Sequence, residues 1–147
     1  MKVFLIGDLH LNHRNIIRYC NRPFNSVEEM NKTLIKRWNN AVTDNDLVIF
    51  LGDLAMGTNR RKWLKKLNGK IIFIKGNHDN WGCDYCLINN NILLIHNPHK
   101  VLYFNGWIIH GHHHNNTKLI DKNKKRINVS CENTNYKPIE LKDIMKV

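Results

Sequence analysis

The sequence predicts an α/β fold with two sheets in its core, and three observations carry that expectation. Short apolar runs of strand length recur and break off at Asp, Asn or His; helical stretches separate the early runs; beyond residue 98 the spacing changes toward a tight turn. The first run, Val3 to Ile6, ends in Gly7-Asp8-Leu9-His10; the second, Leu47 to Leu51, ends in Gly52-Asp53; the third, Ile71 to Ile74, ends in Lys75-Gly76-Asn77-His78-Asp79. Each is continuous and rich in β-branched or aromatic residues, the pattern of a strand buried on both faces. Ser26-Val27-Glu28-Glu29 has the form of a capping box and opens a periodic stretch through Met30, Leu34, Ile35 and Trp38, which predicts a helix over residues 26–41. Thr58 or Asn59 can cap a second helix, with Trp63, Leu64 and Leu67 on one face and Asn68-Gly69 as its stop signal. Strand–helix–strand order with such connections implies parallel pairing. Later, Ile92 to Ile95 runs into His96. The segment Val101 to Phe104, Asn105-Gly106, Trp107 to Ile109 then reads as a hairpin, so the second half is expected to be more antiparallel and to form a second sheet.

At 147 residues the chain has the size of one ordinary domain, taken as residues 1–147, with a single core. Apolar content of 42% with 24% charged residues is globular, and no apolar run approaches the roughly 18 residues of a membrane span. Gly7-Asp8 cuts the first apolar run too short for a signal peptide, so a soluble, cytoplasmic protein is expected. Four cysteines are too few and scattered for a disulfide scaffold, and Cys83-x-x-Cys86 lacks the second pair of a zinc ribbon. The formal charge of +11 suggests polyanionic partners, either nucleic acid or phosphorylated small molecules. Compositional habit is the alternative, because lysine is dispersed throughout. Only Lys118 to Arg126 forms a compact basic patch, which is either a phosphate contact or a solvated loop.

The stretch Ile108 to Asn116, IIHGHHHNN, places four histidines in five positions after an apolar run. Alone it is either a metal site or a polar loop. Asp8 or Asp53 taken singly could cap a helix, and His96 before Asn97-Pro98 could be a turn residue. Together, Asp8-x-His10, Gly52-Asp53, Gly76-Asn77-His78-Asp79, His96 and Gly111-His112-His113-His114 follow in order, each at the end of an apolar run. This series resembles that of the calcineurin-like metallophosphoesterase superfamily from residue 3 to about residue 114. The opening DLHLNHRNIIRYCNRPF, and the tail from Asn128-Val129-Ser130 through Tyr136-Lys137-Pro138, are similar to its small bacterial, archaeal and viral members.

The resemblance implies a four-layer αββα sandwich with a mixed, partly parallel two-sheet core, and two divalent metal ions. By that pattern Asp8, His10 and His114 hold the first ion, Asn77, His96 and His112 the second, and Asp53 bridges them. His78 then lies beside the substrate as the catalytic group, or else only orients the ligands. His113 falls at a variable position between ligands, and His110 orients the loop. Chemistry agrees with the pattern: two cations can polarise a phosphoryl group and generate hydroxide at neutral pH, and mixed oxygen and imidazole donors suit Mn²⁺, with Fe, Zn, Ni or Co as alternatives.

Two departures matter. Met56 stands where many relatives carry an aspartate that supports the catalytic histidine, so His78 needs another partner, Asp79 or a backbone carbonyl. The arginine that phosphoprotein phosphatases place beside that aspartate is missing too. His13 and Arg14 can reach a substrate phosphate, or Asn12 caps the helix they begin and they are merely exposed. The leading expectation is a two-metal phosphodiesterase. A phosphomonoesterase or a nuclease on single strands is the alternative within the same chemistry, and a metal-binding scaffold of degenerate activity is the alternative outside it.

Overall fold

In the computed structural model, which describes residues 1–146, the strands form two sheets packed face to face. The first runs β3 (Lys70–Phe73), β2 (Leu47–Phe50), β1 (Val3–Ile6), β9 (Ile139–Glu140). Its first three strands are parallel and β9 is antiparallel to β1. The second runs β4 (Tyr85–Ile88), β5 (Ile92–Ile95), β6 (Trp107–His110), β8 (Arg126–Asn128), β7 (Ile120–Asp121).

Alternation along the central strands assigns the two faces. Phe4, Ile6, Val48 and Phe50 point outward and pack with Ile16, Met30, Leu34, Trp38 and Trp63. These belong to α1 (Arg14–Tyr19), α2 (Val27–Ala41) and a 3-10 helix, Arg60–Lys66. Leu5, Ile49 and Leu51 point the other way and meet Leu94, Ile109 and Ile127 of the second sheet. Helix α2 starts as its sequence requires: Ser26 Oγ accepts from Glu29 N at 3.1 Å, and Glu29 Oε2 accepts from Asn25 N at 2.7 Å. Its far end is anchored by Trp38 Nε1, which donates to Asn68 O at 2.9 Å.

Several expectations change. No Val101–Phe104 hairpin forms; β6 lies parallel to both β5 and β8, and residues 96–106 are the crossover between β5 and β6. Gly106 serves close approach instead, since a Cβ there would run into the Asn91 carbonyl, to which Trp107 N donates at 2.9 Å. The second sheet is therefore antiparallel only at its edges, β4 with β5 and β7 with β8. Strand β3 is an edge strand with Ile72 exposed, not a fully buried one. Asn12 does not cap α1: His13 is the N-cap, and Asn12 sits at φ +62° with its N–H donating to Asn31 Oδ1. The helix after Asn59 is 3-10, without a side-chain cap. The basic segment is the β7–β8 hairpin. Among the described residues the crossover above the second sheet holds only a 3-10 turn, Pro98–Lys100, so the fourth layer is thin. No described helix is long and apolar enough to cross a membrane.

The carboxyl ends of both sheets are laced together. Gly7 N donates to Val129 O, Val129 N to His110 O, Gly111 N to His96 O and Asp8 N to Gly52 O, all at 2.8–3.1 Å. The polar residues that follow β1, β2, β5 and β6 thereby arrive at one place.

Candidate metal centre

Backbone conformation already marks the place. Asp8, His10, Asp53, His112 and His114 all adopt φ between +48° and +68°. Left-handed backbone is uncommon away from glycine, and its clustering at one locus is typical of sites where geometry serves function. Close approach of the loops makes it unavoidable. A Cβ on Gly52 would lie 2.5 Å from Gly76 N, and one on Gly76 or Gly111 would collide with the carboxylates of Asp53 or Asp8.

Asp53, 3% exposed, occupies the middle. Its Oδ2 lies 3.5 Å from His10 Nε2 and 3.4 Å from His96 Nε2, yet among the described residues neither nitrogen has a hydrogen-bond partner. Two buried, unpaired imidazole nitrogens on either side of one carboxylate oxygen are an arrangement that a bound cation completes. The ligand atoms of Asp8, His10 and His114 lie within 4.8 Å of one another, as do those of Asp8, Asp53 and His96. Asp8 therefore touches both halves, as Asp53 does. Asn77 and His112 lie beside His96, with Asn77 Nδ2 3.4 Å from His112 Nδ1 and the His96 and His112 rings 5.2 Å apart. Oxygen and imidazole donors in this number fit two divalent ions better than one closed zinc site.

Outer contacts fix these side chains. His96 Nδ1 lies 2.6 Å from Leu51 O, which leaves Nε2 turned toward Asp53. His114 Nδ1 is 3.0 Å from Glu132 Oε1, and its Nε2 is 4.0 Å from Asp8 Oδ1. Glu132 is held in turn by Arg22, whose Nε and Nη2 donate to the same Oε1 at 3.0 and 2.8 Å. Arg22 also donates to the carbonyls of Asp8 and Leu9. Sequence reasoning missed both Arg22 and Glu132. The chain offered no comparable signal: Glu132 lies beyond Ile127-Asn128-Val129, which Asn128 interrupts, and is separated from it by Ser130-Cys131.

Charge in the cluster is arranged for a cation. Burial pushes Asp8 up to about 6. Burial opposes the charge on Asp53, but His96, the His78 N–H at 2.9 Å and His10 hold it well below the usual carboxylate range. His10 is pushed down to about 3 by burial against the pull of Asp53, and His112 down to about 4 by burial and the neighbouring His96. Neutral imidazole is the ligating form. His96 and His114 go the other way: burial would lower both, but the adjoining carboxylates raise His96, and Cys20, Glu132 and Asp8 raise His114 to about 10. Without metal, protons take the place of cations there.

His78 is exposed, its ring 5.6 Å from that of His10. Asp79 is not its partner. The Asp79 carboxylate instead accepts from Asp53 N at 2.6 Å and Gly76 N at 2.8 Å, so it ties the two loops together, and Arg60 donates to the His78 carbonyl. His13 stands at the rim, its ring 5.7 Å from His10, whereas Arg14 is fully on the surface in the first turn of α1. His110 is buried, with Nδ1 2.7 Å from Gly111 O; His113 turns away to meet His99, Nε2 to Nε2, at 3.0 Å.

Comparison with known proteins gives the fold and the family. The chain is 54% identical, over 99% of its length and 90% of the relative's, to an uncharacterised protein of Methanocaldococcus jannaschii. It is 34% identical over half its length to the Gene 66 protein of Mycobacterium phage L5, covering 37% of that protein. The crystal structure of a protein of unknown function from Aquifex aeolicus superposes with a TM-score of 0.74 at 23% identity, covering 99% of this chain and 98% of that one, and so shares the fold. The family model for calcineurin-like phosphoesterase matches residues 1–143, which include every residue of the cluster. The chain belongs to the calcineurin-like phosphoesterase family.

Proposed function

We propose that this metal-dependent phosphoester hydrolase is a two-metal phosphodiesterase, acting as one domain of residues 1–147. Asp8, His10 and His114 hold one ion, Asn77, His96 and His112 the other, and Asp53 stands between them. The observation that supports this most is Asp53 Oδ2 flanked by the unpaired Nε2 atoms of His10 and His96 at 3.5 and 3.4 Å. When bound, two such cations polarise the phosphoryl group and supply a nucleophile by lowering the pKa of water. The mixed donor set suits Mn²⁺, with Fe, Zn, Ni or Co competing.

His78 does the work of the proton donor. Its backbone N–H is anchored on Asp53 Oδ1 at 2.9 Å, which fixes the residue at the mouth of the cluster, and its exposed ring protonates the departing oxygen. His13 at the rim and Arg14 beyond it take the substrate phosphate, the guanidinium through a bidentate contact. Exposed Asn77 and His78 make the mouth open, which favours an extended diester over an enclosed ligand. Four free thiols, one of them the exposed Cys83, fit a cytoplasmic setting.

The test is turnover with and without added Mn²⁺ on bis-p-nitrophenyl phosphate, p-nitrophenyl phosphate, cyclic nucleotides and single-stranded DNA. Metal-dependent hydrolysis of a diester well above the monoester is expected. The reverse preference would make the protein a phosphomonoesterase, and no turnover on any of them would make it a metal-binding scaffold. His78→Gln should retain both metals and lose about 10²-fold in turnover, whereas Asp53→Asn should lose metal and activity together. Full activity in His78→Gln would remove that residue from the mechanism.

A further inference from the structure

Three histidines near the metal centre are unused by the proposed chemistry: His99, His110 and His113. They line a cavity of about 710 Å³ beside the β7–β8 hairpin, together with Lys118, Lys122 and Arg126. Resting on the phosphodiesterase reading, we infer that this cavity is a second phosphate subsite, taking a phosphate group of the substrate next to the one that is cleaved.

Position is the first argument. His113 is flanked in the chain by His112 and His114, which face the metal centre, while its own ring lies 6.0 Å from that of His112 and closes the cavity with His99 at 3.0 Å and His110 at a ring distance of 4.9 Å. The two sites share this wall. A substrate held beside His112 thus has the cavity next to it, across the His113 ring.

Charge is the second. Four cationic side chains line the cavity, Lys118, Lys122, Lys124 and Arg126, against one carboxylate, Asp121, whose Oδ1 already accepts from Lys124 N at 3.1 Å. On the other flank of the metal centre, a smaller cleft of about 280 Å³ carries Lys75 and Lys100 against Asp79 and Asp84, so cations and carboxylates balance. Of these two clefts the hairpin side alone carries excess positive charge; a third hollow, beside Trp81, holds Arg60 and Arg61, and Arg60 is engaged by the His78 carbonyl. Imidazole N–H groups and a guanidinium are donors that match phosphate oxygens. Lys125, of the same basic segment, is spent on the Asn105 carbonyl at 3.2 Å, so the segment does not act as an undifferentiated patch.

The test is binding to the metal-loaded protein of a phosphorothioate tetranucleotide, adenosine 3′,5′-bisphosphate and adenosine 5′-monophosphate. Native protein is compared with K122S/R126S, and metal content and thermal melting confirm that the variant is folded. Loss of two cationic contacts should weaken the tetranucleotide by roughly tenfold at low salt and flatten its salt dependence, because each phosphate contact releases counterions. The monophosphate should change much less. Equal weakening of the bisphosphate supports a subsite for a second phosphate of any source; weakening of the tetranucleotide alone supports one for a nucleic-acid backbone. Unchanged affinity for both overturns the inference, even where the native protein hydrolyses bis-p-nitrophenyl phosphate. Weakened binding without hydrolysis of any substrate leaves the subsite standing and removes the phosphodiesterase reading.

Discussion

Glu132 shows how much of the centre rests on one atom. Its Oε1 takes two donors from Arg22 and lies 3.0 Å from His114 Nδ1, within a protein interior where Arg22 is 4% exposed. Glu132→Gln leaves the guanidinium without its counter-charge, and breaking such a buried pair costs about 3–5 kcal/mol. It also removes the negative charge that faces His114 Nδ1, a loss of outer support that typically costs 10–100-fold in metal affinity. Urea denaturation and metal titration should show both. Unchanged metal affinity would mean that His114 is oriented by Cys20 or Asp8 instead. Alternation along Gly111 to Asn115 gives a second prediction. His112→Ala and His114→Ala should each lower metal content, and His113→Ala should retain both ions, read by elemental analysis of the purified variants. Equal losses at all three positions would mean that the loop binds as a unit.

At the level of elements, the strand-end loops are set so close that their glycines cannot be replaced. Asp79 stitches Gly52-Asp53 to Gly76-Asn77 through the N–H groups of Asp53 and Gly76, and a methyl group on Gly76 would occupy the space of the Asp53 carboxylate. Gly76→Ala should therefore displace Asp53 and lower bound metal while leaving the circular dichroism of the two sheets intact. Retention of full metal content would show that the loops have slack. Helix α2 had the more legible ends. Its capping residues lie within four positions of each other and form the same contacts whatever packs around them. The Val101–Phe104 hairpin was misread for the opposite reason. Asn-Gly is a strong local turn signal, but here β5 and β8 take both edges of β6, so nothing is left for residues 101–104 to pair with.

For the whole molecule, the cluster couples metal binding to pH. In the metal-free protein His114 is raised to about 10, His96 is raised as well, and Asp8 stands near 6, so cations must displace protons from these groups. Below the raised values the protonated forms compete, and apparent metal affinity should climb with pH across the neutral range. Calorimetric titration at several pH values checks this, and a flat profile would sink it. The carboxylate Glu132 works in the other sense on stability. Its pKa falls to about 2 against the cationic His114 and Arg22, with burial opposing, so its contribution is complete above its ordinary value near 4.5 and is lost as pH falls toward 2.

The sequence by itself determined which residues stand at strand ends, because an apolar run that stops at Asp, Asn or His marks a strand and the polar turn that closes it. The α/β class followed from that local pattern, whereas the choice of Asp8, His10, Asp53, Asn77, His96, His112 and His114 among the strand-end residues came from the resemblance to the metallophosphoesterase family. The tertiary structure alone decided how strands 44 residues or more apart in the chain are ordered, and which polar groups lie outside the runs yet inside the site. Arg22 and Glu132, 110 residues apart, meet only because the lacing of Gly7 to Val129 brings the ends of the two sheets together. No periodicity in the chain encodes that meeting. The basic cavity likewise needed the fold, since His99 and His113 reach it from two connections and His110 and Arg126 from strands β6 and β8.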